Sequence, residues 1–254
     1  MLNKNYGLLA VALSLLVVLL CQTDVASVAK DKLGLPGGWK VWLDGQSLEG
    51  WHPLEVSQPN DWQACASVKL NPRNEHFFIM VPGKGALVNG EKGQTVNLLS
   101  DMKHGDVEAH IEFAVSKGSN SGIYFMGLYE IQVLDSYGKT SLDFSDCGGI
   151  YARWIDEKNV GGVPPKVNAS RPPGEWQSFD VQFRAPRFDV KGKKLDNARF
   201  LKVIHNGTLI HEGVEIEGPT RAGIEVPEAP IGPLMLQGNH GPVAYRNIRV
   251  QSLR

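Results

Sequence analysis

The chain has 254 residues and a formal charge of −1 at neutral pH, with 42% hydrophobic and 21% charged residues. That balance argues against a general nucleic-acid binder, which needs a basic excess to displace counterions from phosphates, and it is ordinary for a globular protein. The 28 glycines and 15 prolines, spread along the sequence, suit tight turns between short strands better than long helices, and a single all-β domain accommodates this length.

Residues 1–29 read as a secretory signal peptide. Lys4 lies in a short basic start, an apolar run extends from Leu8 to Cys21, and Ser27-Val-Ala29 is a small-residue cleavage signal. The run is shorter than the roughly 20 apolar residues that span a bilayer. The rival is a lipoprotein signal modified on Cys21, disfavoured by the large Leu19-Leu20 just before it, and an uncleaved anchor is a third reading. A periplasmic or extracellular protein follows, with no membrane span in the mature domain, residues 30–254. There Cys65 and Cys147 are an even pair in an oxidising compartment, either bridged or two separate buried thiols.

Along the mature chain, residues 34–51 combine glycine turns with Trp39, Trp42 and Trp51; core packing is expected for at least two of these rings, with sugar stacking as the alternative. Short apolar pieces at 66–70, 77–81 and 86–88, separated by Asn71-Pro72 and Pro82-Gly83, predict a meander. In residues 107–114, Val107, Ala109, Ile111 and Phe113 alternate with Glu108, His110 and Glu112, the signature of a half-buried strand. A turn at 117–120 leads to the stretch 119–137, predicted to be its antiparallel partner. Within that stretch Ile131 and Val133 alternate with Glu130 and Gln132, so one face can carry polar chemistry. Asp135 is out of phase with them, and a β-bulge near Val133-Leu134 would return it to the polar side beside Asn120-Ser121.

Residues 137–173 show no period and predict a long functional loop or flap containing Asp143, Asp146, Tyr151, Arg153 and Lys166. Alternation resumes at 174–184 with Phe179, Val181 and Phe183. A polar insertion at 185–198 precedes apolar runs at 200–204 and 208–211, joined by Asn206-Gly207, a strong hairpin signal. Residues 232–250 predict two closing strands around a polar turn with Gln237, Asn239 and His240. No sustained 3.6-residue period occurs after the leader, so the expected fold is all-β, with two stacked antiparallel sheets.

Nucleotide-binding loops, Cys-x-x-Cys, His-Glu-x-x-His and Gly-x-Ser-x-Gly are absent, which leaves carboxylate, histidine and metal-assisted mechanisms. None of the seven histidines shows tight ligand spacing; His205 and His211, flanking a hairpin turn, are expected in solvent, whereas His240 among glycines is either functional or a solvated turn residue. Glu130 and Gln132 with Asn120 are the sharper candidates, because saccharide sites need acceptors and amides to hold hydroxyls. Asn168-Ala-Ser170 and Asn206-Gly-Thr208 match the glycosylation sequon.

The segments Asn120-Ser-Gly-Ile-Tyr124, Tyr129-Glu-Ile-Gln-Val-Leu-Asp-Ser136, Pro172-Pro-Gly-Glu-Trp176 and Pro233-Leu-Met-Leu-Gln-Gly-Asn-His-Gly-Pro-Val243, with Trp42-Leu-Asp-Gly45, resemble the 3-keto-disaccharide hydrolase family over almost all of the mature chain. The resemblance implies a concanavalin A-like jelly-roll sandwich with a sugar-binding concave face, acting on glycosides oxidised at C3. Glu130-x-Gln132-x-x-Asp135 also looks like the Glu-x-Asp-x-x-Glu strand of laminarinase-type glycosidases, but Gln132 and Asp135 depart from it. A C3 ketone acidifies the C2 proton and permits elimination of the aglycone followed by hydration, which needs a base, an enolate stabiliser and an acid.

The implied assignments are Glu130 or Asp135 as base, Arg153 or a divalent cation such as calcium as stabiliser, and His240 as acid or orienting group. Asn120, Tyr124, Gln132, Tyr151, Lys166 and Gln237 would hold the oligosaccharide or glycoside substrate. No cofactor is required by the sequence. Family members often carry an aspartate where this chain has Asn239. A lectin-like binding module, an ordinary endo-glucanase and a structural envelope protein are the competing readings.

Overall fold

The computed structural model describes residues 38–253. The predicted signal peptide, with Cys21 and the cleavage site, lies outside the described residues. In chain order the strands are β1 (Lys40–Leu43), β2 (Trp51–Pro53), β3 (Gln63–Asn71), β4 (Asn74–Val88), β5 (Leu98–His104), β6 (Val107–Val115), β7 (Asn120–Phe125), β8 (Tyr129–Leu134), β9 (Arg153–Ile155), β10 (Lys158–Val160), β11 (Gln177–Arg184), β12 (Arg187–Phe188), β13 (Lys194–Asp196), β14 (Ala198–His205), β15 (Thr208–Ile216), β16 (Gly232–Leu236) and β17 (Val243–Ser252). Among the described residues no helix is long and apolar enough to cross a membrane.

One sheet has the order β15-β14-β11-β6-β17-β4-β3, with β1 added against β17; the second has the order β2-β5-β16-β7-β8; β9–β10 and β12–β13 are separate hairpins. Their pairings are antiparallel throughout. The architecture is an all-β sandwich of jelly-roll type. Alternation explains the packing: β6 buries Ala109, Ile111 and Phe113, β11 buries Phe179, Val181 and Phe183, and these join Ile123, Phe125, Tyr129, Ile131, Leu234 and Leu236 from the second sheet in one core. Phe125 and Phe200, from opposite sheets, meet edge to face at 5.4 Å, with Phe183 within 5.3 Å of both. Each such buried ring contributes roughly 1.5–3 kcal/mol.

Several expectations are corrected. β6 does not pair with the stretch after it. It lies between β11 and β17, while β7 and β8 cross to the other sheet, so the apolar sides of both segments share the same core. Pro82-Gly83 is not a turn: β4 runs through it, and the extra residues bulge opposite Ala66 where the register with β3 shifts between Cys65 and Ser67. Asn206 and Gly207 both have positive φ, as the predicted tight hairpin requires. Trp42 and Trp51 are core residues. Cys65 and Cys147 are free buried thiols that belong to separate apolar clusters, so no bridge joins them.

His205 and His211 are buried, not solvent-facing. His205 packs against Phe179 and Phe113 and donates Nε2–H to Gln177 Oε1 at 3.0 Å, and His211 donates Nε2–H to Gly148 O at 2.7 Å. His104 accepts the Met126 N–H on Nε2 and donates Nδ1–H to Gly105 O.

Burial pushes the His104 imidazole down to about 4 and, aided by the Arg171 charge, that of His205 to about 3. Both rings stay neutral when folded but gain protons when unfolded below the ordinary 6.5, so their stability contribution is present above pH 6.5 and is lost as pH falls through the folded values. In melting temperature against pH, a His205→Phe variant should therefore show a shallower decline below pH 6.5 than the wild type. Parallel declines would remove His205 from the acid limb.

Candidate active site

The outer face of the second sheet carries the polar residues. On β7 the alternation sends Ile123 and Phe125 into the core and leaves Asn120, Gly122 and Tyr124 facing outward; on β8 it buries Tyr129, Ile131 and Val133 inside and turns Glu130 and Gln132 out. The register pairs Tyr124 with Glu130 and Gly122 with Gln132. A cleft of about 310 Å³ results, lined by Asn120, Tyr124, Glu130, Gln132, Tyr151, Arg221, Ala222, Gln237 and His240.

Two loops cover this face and bury both sides of β8. Residues 148–151 run along its free edge: Gly148 N–H donates to Gln132 O at 2.8 Å, Gln132 N–H to Gly149 O at 2.9 Å, and Tyr151 N–H to Glu130 O at 3.1 Å. Thr220 grips the hairpin from the other side, accepting Glu130 N–H on Oγ1 at 3.1 Å and donating to Leu128 O. Gln237 is delivered by its own N–H bond to Gly122 O at 3.0 Å. The turn bearing His240 is held by buried Asn89, whose side chain donates to Gly238 O and Gly241 O and accepts Val243 N–H at 2.7 Å.

Glu130 is 2% exposed, and burial raises its carboxyl to about 8 against the opposing hydrogen bond from Tyr124. Gly122 makes room for it: a Cβ there would stand 2.1 Å from Glu130 Oε1 and 2.9 Å from Cδ. Burial, then the neighbouring Glu130, raises the Tyr124 and Tyr151 phenols. Burial lowers the His240 imidazole, which in its neutral form donates Nδ1–H to Asn239 Oδ1 at 2.5 Å and keeps Nε2 as an acceptor. The Arg221 guanidinium lies 3.9 Å from the centre of the Trp154 ring, and no carboxylate among the described residues pairs with it.

Of the residues named from sequence, Asn120, Tyr124, Glu130, Gln132, Tyr151, Gln237 and His240 come together here, and three do not. The pairing of β7 with β8 is regular from Phe125–Tyr129 to Asn120–Leu134, so the expected bulge is absent. Asp135 therefore stays off the polar face, and its Oδ2 accepts Gly118 N–H at 2.9 Å to close the β6–β7 turn. Arg153 pairs with Glu217. Lys166 is exposed, and its main-chain N–H bonds Ile210 O. In the loop, buried Asp146 is a structural tie, accepting from Ser136 Oγ, Lys139 Nζ and Asp143 N–H.

Sequence reasoning missed Arg221, Gly122 and Asn89. A glycine inside a strand pattern does mark close approach of another group, but Arg221 sits in an aperiodic Pro-Thr-Arg-Ala stretch with no local signal. For a divalent cation, the cleft supplies the Glu130 carboxyl, the His240 imidazole and the side-chain amide oxygens of Asn120, Gln132 and Gln237, and among the described residues no three His, Cys, Asp or Glu side chains cluster.

Residues 38–251 match the model of the family described as the 3-keto-alpha-glucoside-1,2-lyase-like domain. Among solved structures, the fold is shared with three candidate glycosyl hydrolases from Parabacteroides distasonis. One is 24% identical, covering 85% of this chain and 84% of that one with a TM-score of 0.57. The second is 16% identical, with 85% and 94% covered and a TM-score of 0.56. The third is 19% identical, with 85% and 99% covered and a TM-score of 0.51. No curated protein matches the sequence.

The raised Glu130 carboxyl has a measurable consequence for stability. Between its ordinary 4.5 and about 8 the folded chain keeps a proton that the unfolded chain gives up, so stability falls with rising pH across that window. The slope is at most about 1.4 kcal/mol per pH unit. Glu130→Gln removes the decline, so its melting temperature should gain on the wild type progressively from pH 4.5 to 8. An offset independent of pH would mean that Glu130 ionises normally.

Proposed function

The chain belongs to the 3-keto-alpha-glucoside-1,2-lyase-like family, and on that premise we propose that Glu130 drives elimination across C1–C2 of a glycoside oxidised at C3, followed by hydration. A carbohydrate-active enzyme of this family acts on glycosidic bonds; the finer reading is carried by one observation, the solitary carboxyl in the cleft. Hydrolysis by the usual two-carboxylate routes needs a second acid within about 5–9.5 Å across the scissile bond, and Asp135 lies elsewhere, tied to Gly118. One carboxyl suffices when a C3 ketone has already made the C2 hydrogen acidic.

The Glu130 carboxylate takes the C2 proton, and the electron pair moves toward C3 to form an enolate oxygen. Arg221, which no carboxylate among the described residues pairs with, and the Tyr151 hydroxyl are the groups that stabilise that charge in a sheltered site. Collapse of the enolate breaks the bond from C1 to the aglycone oxygen, which receives its proton from the now neutral Glu130. Water then adds at C1, giving up a proton through Glu130 as C2 regains one. The products are the 3-keto sugar and the free aglycone alcohol. A carboxyl near 8 exchanges protons in both directions close to neutral pH. His240 presents Nε2 as an acceptor for a sugar hydroxyl or the incoming water, while Asn120, Gln132 and Gln237 hold hydroxyls through their amides.

The decisive assay compares aglycone release from a glucoside and its 3-keto form by residues 30–254, with and without chelator. Only the keto form should react, and chelator should leave the rate unchanged; loss of activity on chelation would give the enolate to a metal instead of Arg221. Glu130→Gln should lower kcat/KM by at least 10³-fold, within the span that general acid–base catalysis contributes. In the wild type, kcat/KM should climb with pH along a limb centred near 8. A fall through the same range would make Glu130 the acid and His240 the base, and cleavage of unoxidised glucan would reject the elimination.

Gly122→Ala separates position from chemistry. The added methyl meets the end of the Glu130 side chain and, at 2.9 Å, the edge of the Tyr124 ring, both side-chain groups and no backbone, so the fold should persist while the carboxyl leaves its notch. A loss of 10²-fold or more in kcat/KM with an unchanged circular dichroism spectrum is expected. Full activity would show that the carboxyl has no need of that notch.

A further inference from the structure

The Trp154 ring projects from the β9–β10 hairpin, whose turn holds two non-glycine residues, Asp156 and Glu157, in left-handed φ. Trp154 is 47% exposed and the adjoining Ile155 39%, whereas Trp42, Trp51 and Trp62 are buried. One face of the indole is occupied: the Arg221 guanidinium sits 3.9 Å from the ring centre. Arg221 is also a wall of the cleft that contains Glu130, so Trp154 stands one side chain outside that cleft. The hairpin is tied back by the Arg153–Glu217 ion pair and by Arg221 N–H donating to Ala152 O at 2.9 Å.

The cleft itself, at about 310 Å³, is at the lower end of the range for small-molecule sites. It suits the reacting ring, so an aglycone of similar size has to lie at the rim. We infer that Trp154 is the platform of an aglycone subsite for a second pyranose ring, which stacks its C–H face on the open side of the indole while Arg221 covers the other. This rests on the elimination reading above. One feature favours a sugar over an apolar aryl group: Arg221, which lines the cleft and stacks on the ring, offers N–H donors that sugar hydroxyls can accept and an apolar aryl group cannot.

The test uses kcat/KM on three 3-keto glucosides, with a methyl, a phenyl and a glucosyl aglycone, for wild type, Trp154→Ala and Trp154→Phe. Turnover of the methyl compound by wild type tests the elimination chemistry alone. For the subsite, Trp154→Ala should lower kcat/KM on the disaccharide at least ten-fold more than on the methyl glucoside, mainly through KM, and Trp154→Phe should recover most of that difference. An equal loss on all three would make Trp154 a seat for Arg221 and overturn the subsite. A selective loss confined to the phenyl compound would assign an aryl aglycone and overturn the sugar. If wild type turns over none of them, disaccharide affinity by calorimetry still decides: weaker binding by Trp154→Ala supports the platform, and equal binding rejects it.

Discussion

The unbroken antiparallel pairing of β7 with β8 is the constraint on which the site depends. In a strand each residue belongs to one face, and a slip of one position would exchange the core set for the polar set. Ile131 and Val133 anchor the inner face against β6 and β11, so Glu130 and Gln132 have only the outer face to occupy. The same regularity excludes Asp135. One pairing pattern therefore places Glu130 in the cleft and keeps Asp135 out of it.

Burying that carboxyl is costly, since an ionised group without a counter-charge is poorly tolerated in a dry environment. The chain meets this cost by protonation rather than by pairing: the nearest hydrogen-bond partner is the neutral Tyr124 phenol, and the cation at the cleft, Arg221, is stacked on Trp154 instead. Asp146, in the loop that follows β8, is handled in the opposite way. Asp146 would also be raised by burial, but Lys139, the Asp143 amide and Ser136 outweigh that and hold it ionised. The contrast separates a carboxyl kept for proton transfer from one kept to pin a loop.

The loops that complete the cleft are fixed by the sheet they cover. Residues 148–151 act as an added edge strand, Thr220 clasps the hairpin, and Asn89 locks the turn that carries His240. Backbone groups that would otherwise be left unpaired at the sheet edge thus position the functional side chains. The β9–β10 hairpin, tied back by Arg153–Glu217, adds an exposed ring next to the cleft.

Periodicity in the sequence by itself determined the all-β class, the strands around Ile111, Phe179 and Phe200 and the outward pair Glu130 and Gln132, because a two-residue repeat is a local property of the backbone, and the Asn206-Gly207 turn chemistry marked the hairpin. The motif resemblance pointed correctly to the family. Only the tertiary structure decided which sheet each strand joins, that His205 and His211 are buried and Cys65 and Cys147 are buried free thiols, and that Arg221 rather than Arg153 reaches the cleft. Those outcomes depend on contacts between residues far apart in the chain: Glu130 meets Gly122 across a hairpin, Thr220 ninety positions away and Gln237 beyond that. No local pattern encodes them, since burial and proximity arise only when the two sheets close on each other.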